Sequence, residues 1–466
     1  YVKNRSIGPD SVPLSIVILA AGQGTRMRSD LPKVLQPLAG RPLLAHVVDS
    51  ARVLGADDVC VVYGHGGDRV REAFPDPALR WAHQAEQLGT GHAVMQALPE
   101  TPQGNQVLVL CGDVPLTRPE TLERLTGACA DGSVGVLTVE LPDPTGYGRI
   151  VRGGDGDVER IVEHKDASGA ELDIAEINTG IISAPAVRLA VWLDGLSADN
   201  AQGEYYLTDI IASAVADGVP VHGVKADDWT EVMGINDRRQ LAGAERALQR
   251  RLVEQAMVAG ATMADPDRVD IRGSLTVGRD VFIDVNAVFE GEVVLGDRAR
   301  IGPGVVVRDS RIGADSVIHP HTVIEESVIH ERCQIGPFAR LRPGAEFADG
   351  SKAGNFVEVK KSLIGEGSKV NHLTYIGDTT IGRKVNVGAG TITCNYDGAN
   401  KHRTVIGDGA FIGSGVNLVA PVEVGAGATI GAGSTISKPA PADKLTLARS
   451  KQITLEHWKR PQKKQS

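Results

Sequence analysis

IRGSLTVGRDVFIDVNAVFEGEVVLGDRARIGPGVVV, residues 271–307, repeats an apolar residue every six positions. The repeating residues are Val277, Ile283, Phe289, Leu295, Ile301 and Val307, and the rhythm returns at Ile406, Ile412, Leu418, Val424, Ile430 and Ile436. A helix needs apolar spacings of three and four, so this period excludes a helical stripe. It predicts a parallel β-helix, whose short strands each point one apolar residue inward and whose coils stack about 4.8 Å apart. A solenoid can serve only for assembly, so other residues must decide the function.

The composition limits the class of protein. A chain of 466 residues is too long for one core and predicts two or three domains. The formal net charge of -9 argues against a nucleic-acid partner, and the lack of any run of 18 apolar residues argues against a membrane span. The cysteines are Cys60, Cys111, Cys129, Cys333 and Cys394. They are scattered without metal-ligand spacing, and the polar residues 1–10 lack a signal peptide's apolar stretch, so we expect a reduced, cytoplasmic protein.

The first half of the chain alternates short apolar runs with helical patterns. Strand-like runs cover residues 15–20, 59–62, 107–110 and 134–139, and a helical pattern covers residues 43–53. This alternation predicts a Rossmann-like α/β domain with a mostly parallel sheet and helices on both faces. Ligands of such sheets bind at the carboxyl ends of the strands, where the glycine-containing segment 21–26 lies.

The segment LAAGQGTR, residues 19–26, is neither a dinucleotide fingerprint nor a Walker loop. Two close glycines after a strand let backbone N–H groups approach a phosphate, although the same pattern also occurs in simple tight turns. Arg26 and Lys33 add two cations close to the loop. The added charge favours a phosphate site over a turn.

A series of motifs then carries a family resemblance. The motifs are LAAGQGTRM (19–27), PKVL (32–35), QAEQLGTGHA (84–93), GDVPL (112–116), PTGYGRI (144–150), IVEHK (161–165), EINTG (176–180) and GEYYLTD (203–209). In this order, and followed by the six-residue repeat, they resemble the bifunctional N-acetylglucosamine-1-phosphate uridyltransferases and glucosamine-1-phosphate acetyltransferases. The resemblance implies a left-handed β-helix, a homotrimer and the formation of UDP-N-acetylglucosamine for cell-envelope polymers.

Two reactions follow from the resemblance. Acetyl-CoA would acetylate glucosamine-1-phosphate, and UTP would then uridylylate N-acetylglucosamine-1-phosphate with release of pyrophosphate. The alternative is a single-activity sugar-1-phosphate nucleotidyltransferase whose β-helix is structural. The segments NHLTY (371–375) and CNYDGANK (394–401) favour the bifunctional enzyme.

Asp113 follows an apolar strand at the edge where a metal-bound triphosphate is expected, and a carboxylate there suits Mg²⁺. A strand-end Asp also caps turns, and the family resemblance favours the metal. The resemblance implies Asn236 as second metal ligand and Arg26 and Lys33 as the catalytic cations. The remaining substrate-binding residues that it implies are Leu19, Ala20, Gly22, Gln84, Gly89, Thr90, Cys111 and Gly112 for the nucleotide side and Gly148, Glu163 and Asn178 for the sugar. Family members often carry Lys or Glu at Gln23 and an aromatic residue at Cys111.

Residues 237–259 are rich in Ala, Leu, Arg and Glu, contain no Pro, and precede Gly260. This composition predicts a long linker helix. The expected division is a uridylyltransferase domain at 1–238, the helix at 239–259 and an acetyltransferase domain with a basic tail at 260–466.

The six-residue phase passes through Ile381, Val387 and Thr393 and resumes at Ile406, thirteen positions later instead of twelve. Residues 394–403 therefore form a loop expelled from a coil, and loops on rigid coils often carry function. Attack of an amine on a thioester needs a base that titrates near neutral pH, which favours His. Among the histidines, His372 matches the acetyltransferase motif.

The resemblance then assigns the acetyl site. It implies His372 as general base and Glu358 as the partner that orients its ring. The sugar-phosphate residues would be Arg342, Lys360, Tyr375 and Asn386, and the acetyl-CoA residues Ala389, Asn395, Tyr396, Ser414, Ala432 and Arg449.

Overall fold

The computed structural model describes residues 12–64, 66–154 and 156–463. The polar N-terminal segment 1–10 and Lys464 of the basic tail lie outside the described residues. The chain separates into two compact units, Tyr1–Leu248 and Gln249–Ser466. No helix among the described residues is long and apolar enough to cross a membrane.

The first unit alternates strands with helices. Its strands are β1 (Leu14–Ala20), β2 (Pro37–Leu38), β3 (Arg41–Pro42), β4 (Asp58–Tyr63), β5 (Leu79–His83), β6 (Gln106–Cys111), β7 (Val134–Glu140), β8 (Arg149–Arg152), β9 (Val158–Val162), β10 (Glu176–Pro185) and β11 (Val221–Lys225). Its helices are α1 (Leu43–Val53), α2 (Gly67–Ala73), α3 (Thr90–Ala97), α4 (Pro119–Gly127), α5 (Gly169–Leu172), α6 (Ala186–Asp194) and α7 (Ile210–Ala216). Short 3₁₀ turns cover Thr25–Met27, Lys33–Leu35, Leu98–Glu100, Leu207–Asp209 and Trp229–Val232.

The predicted mostly parallel sheet is confirmed. Its order among the described residues is β11-β7-β10-β6-β1-β4-β5, with β8 and β9 attached beside β10. Strand β1 pairs in parallel with both β4 and β6, so their carboxyl ends meet at one edge. Strand β10 runs antiparallel to β6 and β7, a reversal that the apolar pattern did not reveal. A bulge between Asn178 and Ile182 interrupts its pairing with β7.

The second unit contains a parallel β-helix that begins with β12, and one 3₁₀ turn, Pro266–Arg268, lies between its first two strands. The first strands are β12 (Ala261–Met263), β13 (Val269–Val277), β14 (Val281–Ile283), β15 (Ala287–Leu295), β16 (Arg300–Ile301), β17 (Val306–Arg308), β18 (Arg311–Ile312), β19 (Val317–Ile318), β20 (Val323–Glu325), β21 (Val328–Ile329), β22 (Gln334–Ile335), β23 (Arg340–Leu341) and β24 (Ala345–Phe347). The later strands are β25 (Lys352–Lys360), β26 (Ser362–Ile364), β27 (Lys369–Gly377), β28 (Thr379–Ile381), β29 (Asn386–Val387), β30 (Ile392–Cys394), β31 (Thr404–Ile406), β32 (Phe411–Ile412), β33 (Asn417–Val419), β34 (Val422–Val424), β35 (Thr429–Ile430), β36 (Thr435–Ile436) and β37 (Leu445–Thr446).

The inward residues of the coils form one stacked core. Phe289, Ile301 and Ile412 are at most 1% exposed and belong to a single apolar cluster that continues to Ile436. The predicted six-residue rhythm is therefore the inward row of the β-helix. Residues on adjacent coils are 17 or 18 positions apart in sequence, as for Ser362 and Thr379. The spacing rises to 25 for Arg383 and Asp408, because residues 395–403 leave the coil between β30 and β31.

Helix α8 (Arg238–Ala259) spans the boundary between the two units. The Asp237 carboxylate accepts hydrogen bonds from the backbone N–H groups of Arg239 (2.8 Å) and Gln240 (2.9 Å), which is the contact of a helix N-cap. Gly260 follows the helix with a φ of 125°, a conformation that favours glycine. The first half of α8 contributes Ala244 to a core of the first unit, and its second half contributes Ala256 to the β-helix core.

Two neighbouring residues of β31 test the inward row. We expect Ile406→Ala to lower the free energy of unfolding of the β-helix by about 2–5 kcal/mol, because the side chain is 1% exposed and its removal leaves a cavity. Val405→Ala is the matched control, since Val405 is 38% exposed, and it should cost less than about 1 kcal/mol. Urea unfolding followed by circular dichroism measures both, and equal losses would contradict the assigned orientation.

Candidate functional site

The glycine loop after β1 brings a lysine to the edge of the sheet. Gly24 has a φ of 62°, and a Cβ atom on it would lie 2.7 Å from Lys33 Cβ. Both the left-handed backbone and the close approach therefore require glycine at this position. The contact packs the segment that carries Lys33 directly against the loop.

Two oxygen ligands and two cations converge beside this loop. The Lys33 ammonium pairs with the Asp113 carboxylate and lies 3.2 Å from Asn236 Oδ1, which also accepts a hydrogen bond from Arg26 Nη2 at 2.9 Å. The Ile235 N–H donates to Asp113 O at 2.9 Å, and this backbone bond brings Asn236 to the end of β6. The four side chains predicted for the triphosphate end thus lie together.

The donor set near Lys33 fits a hard divalent cation. The described residues contain no group of three or more His, Cys, Asp or Glu side chains able to hold a metal. Asp113 and Asn236 instead offer one carboxylate and one amide oxygen, both already directed at the positive charge of Lys33. Few protein oxygens, completed by phosphates and water, are what Mg²⁺ takes in phosphate-transfer sites.

A cavity of about 580 Å³ opens at the carboxyl ends of β1 and β6. Its predicted lining residues are Leu19, Ala20, Gly22, Lys33, Gln84, Gly89, Thr90, Cys111 and Asp113. Lining residues without a predicted role are Ala21, Gln23, Val34, Gln87, Ala93 and Glu204. Gln87 Nε2 donates to Ala21 O at 3.0 Å and joins the loop to the segment before α3. Gln87 and Glu204 both lie within motifs quoted above, so their positions carried a signal.

The predicted sugar residues form a separate group that does not line this cavity. Asn178 N–H donates to Gly148 O at 2.8 Å, and a Cβ atom on Gly148 would lie 3.3 Å from Glu163 Oε1. The same carboxylate oxygen accepts a hydrogen bond from Thr208 Oγ1 at 3.1 Å. Burial raises the pKa of Glu163, and the hydrogen bond from Thr208 opposes this rise by stabilising the carboxylate.

Cys111 connects the two groups. Its Sγ lies 3.7 Å from Gly180 O, on the strand that carries Asn178, and the same residue lines the cavity. Burial, with a smaller contribution from Asp113, raises the pKa of the Cys111 thiol to about 12. The thiol is therefore neutral at physiological pH and acts as a small apolar wall.

In the second unit, the partner of His372 differs from the expected one. His372 Nδ1 lies 2.8 Å from Asn355 Oδ1, 17 positions earlier and directly paired with it in the neighbouring coil. Glu358 pairs instead with Tyr375 in register, and its carboxylate binds Arg342 Nη1 at 2.9 Å. Within one chain, parallel pairing places Asn355 under the imidazole, so the expected contact between Glu358 and His372 is not made there.

The Asn355 contact also sets the imidazole tautomer. An amide oxygen only accepts hydrogen bonds, so Nδ1 carries the hydrogen, and in the neutral imidazole Nε2 is then the nitrogen with the lone pair. Asn355 was missed from sequence because its signal is the coil length and no local motif marks it.

Lys360, one of the residues predicted to bind the sugar phosphate, lies at the end of β25, and Tyr375 lies near the end of β27. The ammonium of Lys401, from the expelled loop, lies against Lys360 and lowers the pKa of Lys360. Asn395 Nδ2 donates to Asp378 Oδ2 at 2.5 Å. A Cβ atom on Gly377 would lie 2.5 Å from the Tyr375 hydroxyl and 2.7 Å from Asn395 Nδ2. Two adjacent ammonium groups repel each other, and an anion between them relieves the repulsion.

Three of the residues expected to bind acetyl-CoA, Ala389, Ser414 and Ala432, lie in a row along one corner of the β-helix. The glycine that follows each of these residues donates its N–H to a backbone carbonyl oxygen of the previous coil. These bonds join Gly390 to His372 O (3.3 Å), Gly415 to Ala389 O (2.7 Å) and Gly433 to Ser414 O (2.9 Å). Arg449 Nη1 reaches Ala432 O at 2.8 Å and ends the row. Asn386 lies on β29, three positions before Ala389, whereas Asn395 and Tyr396 lie on the expelled loop.

The residues at this corner carry large side chains up to the coil of His372 and are glycines in the coils after it. The corner glycines Gly390, Gly415 and Gly433 have φ values of 74°, 69° and 69°. Earlier coils place His321, Phe338, Phe356 and Leu373 at the same corner, also at positive φ, and the rings from His321 to Phe356 stack. In the coils after His372, the glycines at the corner positions carry no side chain, so the surface of the corner is left uncovered at these positions.

Models of known protein families match parts of both units. Residues 16–152 match the MobA-like NTP transferase domain, residues 271–349 the GMPPB C-terminal domain, and residues 403–438 the bacterial transferase hexapeptide (six repeats). The bifunctional protein GlmU of Azoarcus sp. (strain BH72) is 57% identical over 450 residues, 97% of this chain and 100% of the relative.

The chain belongs to the GlmU family. The bifunctional protein GlmU of Alkalilimnicola ehrlichii is 58% identical over 448 residues, which cover 96% of this chain and 96% of the relative. That of Chromobacterium violaceum is 56% identical over 451 residues, which cover 97% of this chain and 99% of the relative. Matches at this level over both units make the chain a bifunctional GlmU protein from the nucleotidyltransferase sheet to the β-helix.

Asn355 provides a test of the imidazole geometry. We expect Asn355→Ala to lower the turnover of acetyl transfer by about 10-fold or more with little change in KM, because the Nδ1–H tautomer is no longer held. Asn355→Asp keeps the acceptor but favours the protonated imidazole, so its activity should require a higher pH than that of the wild type. Steady-state pH profiles measure both effects. Unchanged turnover and profile in both variants would exclude the positioning role.

Proposed function

We propose that each unit of this bifunctional enzyme performs one of its two transfers. Residues 1–238 transfer a uridylyl group from UTP to N-acetylglucosamine-1-phosphate, residues 260–466 transfer an acetyl group from acetyl-CoA to glucosamine-1-phosphate, and residues 239–259 connect them. The observation that carries the assignment is the corner row from His372 to Arg449, which gives the β-helix a site of its own. A single-activity nucleotidyltransferase with a structural β-helix is not favoured, because the relatives at 56–58% identity are bifunctional proteins.

In the first unit, a phosphate oxygen of the sugar attacks the α-phosphorus of UTP and pyrophosphate leaves. Both reactants are anions, so the protein must supply positive charge and alignment. Arg26 and Lys33 neutralise the triphosphate from the glycine-loop side, and their shared contact with Asn236 fixes their positions. Asp113 and Asn236 would hold Mg²⁺, which neutralises phosphate charge when bound.

Different residues of the first unit bind the two substrates, UTP and the sugar phosphate. Gln84, Gly89 and Thr90 surround the base and ribose, and Gln84 Nε2 donates to Gly89 O at 3.1 Å, which fixes the start of α3. Glu163 and Asn178 read the sugar hydroxyls and the N-acetyl group, with Gly148 leaving them room. Cys111 lies between the two parts, where a larger side chain would fill space.

In the second unit, His372 Nε2 removes a proton from the amine of glucosamine-1-phosphate as nitrogen attacks the thioester carbonyl of acetyl-CoA. The tetrahedral intermediate collapses, the new C–N bond remains, and coenzyme A leaves as thiol or thiolate. Ala389, Ser414, Ala432 and Arg449 support the coenzyme along the corner that begins at His372. The base acts in the transition state, so it contributes to turnover more than to binding.

The acetyl site is incomplete in one chain. Asn355 and Lys360 are five positions apart on β25, as are their paired partners His372 and Gly377 on β27, and the corner residues Phe356 and Leu373 lie between them. The proposed base and the proposed phosphate ligands of one chain therefore lie on different sides of a corner, whereas the amine and the phosphate of glucosamine-1-phosphate are on adjacent carbons. A homotrimer solves this, since the end of β27 and the loop residues Asn395 and Tyr396 of one copy can complete the His372 corner of the next.

The separation of the two sites is testable with Asp113→Ala. We expect this variant to lose uridylyl transfer by 10²-fold or more while acetyl transfer stays within about twofold of wild type, because Asp113 lies at the cavity of the first unit. Removal of divalent cations with EDTA should reproduce the same pattern in the wild type. Asp194→Ala, at the end of α6, is the control and should retain both activities. Parallel loss of both activities in folded Asp113→Ala would refute independent sites.

The shared acetyl site is testable by mixing inactive chains. His372→Ala should lose turnover by about 10²–10⁴-fold, and Lys360→Ala should lose sugar-phosphate affinity. After the two variants are unfolded and refolded together, the mixed assemblies contain sites with both wild-type residues, so acetyl transfer should recover in part. Variants refolded separately and then combined are the control. A monomeric wild type in sedimentation, or no recovery in mixed trimers, would contradict the shared site.

A further inference from the structure

The carboxylate of Glu163 in the first unit has no cation to compensate its charge. Glu163 directly follows β9, and a Cβ atom on Gly148 would lie 3.3 Å from its Oε1. The charged groups that act on it among the described residues are themselves carboxylates, Asp209 on the turn Leu207–Asp209 and Asp166 on its own turn. A partly buried carboxylate in such surroundings needs a hydrogen-bond donor to remain ionised.

Thr208 supplies that donor. Its side chain is 7% exposed, and its Oγ1 donates a hydrogen bond to Glu163 Oε1 at 3.1 Å. Burial raises the pKa of Glu163, the bond from Thr208 lowers it, and Asp209 and Asp166 add to the rise. The phenol of Tyr206 also faces Glu163, and its own raised pKa keeps it neutral. Of these influences, the Thr208 bond alone favours the ionised carboxylate.

The start of α3 holds the segment that carries Thr208. Gly91 N–H donates to Tyr205 O at 2.8 Å, and Leu207 N–H donates to Thr90 Oγ1 at 3.1 Å. Thr90 lines the nucleotide cavity. The segment is therefore fixed from the nucleotide side, while its threonine reaches the carboxylate on the sugar side.

A buried threonine that donates to a carboxylate also occurs outside the site. Thr121 Oγ1 donates to Glu231 Oε2 at 2.7 Å, and the two residues are 3% and 1% exposed. There a cation compensates the charge, since Arg118 Nε lies 3.3 Å from Glu231 Oε1. Glu163 lacks such a cation among the described residues, and this difference favours a role in ligand binding over one in folding alone.

We propose that Thr208 is a positioning residue for the sugar, because its hydroxyl holds Glu163 Oε1 so that Oε2 can accept a hydrogen bond from a hydroxyl group of N-acetylglucosamine-1-phosphate. The inference rests on the proposed role of Glu163 in binding the sugar. Without the Thr208 bond the carboxylate can rotate, and protonation removes the charge that strengthens its acceptance of a hydroxyl hydrogen. Thr208 therefore acts on sugar affinity and its pH dependence more than on phosphate transfer.

Steady-state kinetics of uridylyl transfer by the full chain test the proposal, at saturating UTP and Mg²⁺ and across the neutral and mildly acidic range. Thr208→Val keeps the side-chain shape but removes the hydroxyl. We expect KM for N-acetylglucosamine-1-phosphate to rise about tenfold with a smaller change in kcat. The acid limb of kcat/KM should move to higher pH, because burial then raises the pKa of Glu163 unopposed. Thr208→Ser keeps the donor and should restore both values.

Three further variants make the result specific. Thr121→Val is the matched control and should keep the KM and pH profile of the wild type. Thr208→Ala, which needs no extra space, should repeat the effect of Thr208→Val even if the valine variant does not fold. Glu163→Gln tests the role on which the inference rests, and it should raise KM and remove the acid limb that Glu163 causes.

Titration of the substrate phosphate is common to all variants, so differences between their profiles report the protein. If Glu163→Gln raises KM while the folded Thr208 variants keep the wild-type KM and profile, the positioning role is overturned and the role of Glu163 stands. If Glu163→Gln also matches the wild type, both roles are overturned. A Thr208 variant that loses kcat with unchanged KM and profile also overturns the proposal.

Discussion

Parallel pairing between coils determines which side chains meet on the surface of the β-helix. The inward residues Ile364, Ile381 and Ile406 are at most 1% exposed and stack in consecutive coils. A shift of one position would move every inward residue of a strand to the surface, so the pairing cannot slip. The meeting of His372 with Asn355 is a consequence of this buried register, and so is the return of the chain to phase after the loop at residues 395–403.

The sequence was sufficient for features that depend on local pattern. The six-residue period predicted the inward core, and the extra position before Ile406 predicted the expelled loop, because both follow from spacing along the chain. Partner identity was less accessible. Glu358 lies three positions after Asn355 on β25, and the 17-residue coil length makes Asn355 the neighbour of His372 within the chain.

In the first unit, the sequence located the cavity better than the connections around it. The glycine loop and Asp113 follow strands whose apolar runs are visible, so their common edge was predictable. The antiparallel direction of β10 and the bulge at Asn178 depend on long-range pairing that leaves no periodic mark. Asn236 reaches Asp113 through one backbone hydrogen bond from Ile235, a contact between residues far apart in sequence.

The number of coils along the glycine corner sets the length of a ligand that can lie on it. From His372 through Ala389 and Ser414 to Ala432 the row advances by three coils, roughly 14 Å at 4.8 Å per coil. A ligand lying on this track must match that length if one end is to meet the imidazole while the other meets Arg449. Insertion or deletion of one whole coil would preserve the core and the fold but change the measured length by one step. The number of coils after His372 is therefore constrained by ligand length, whereas the number before it is free of that constraint.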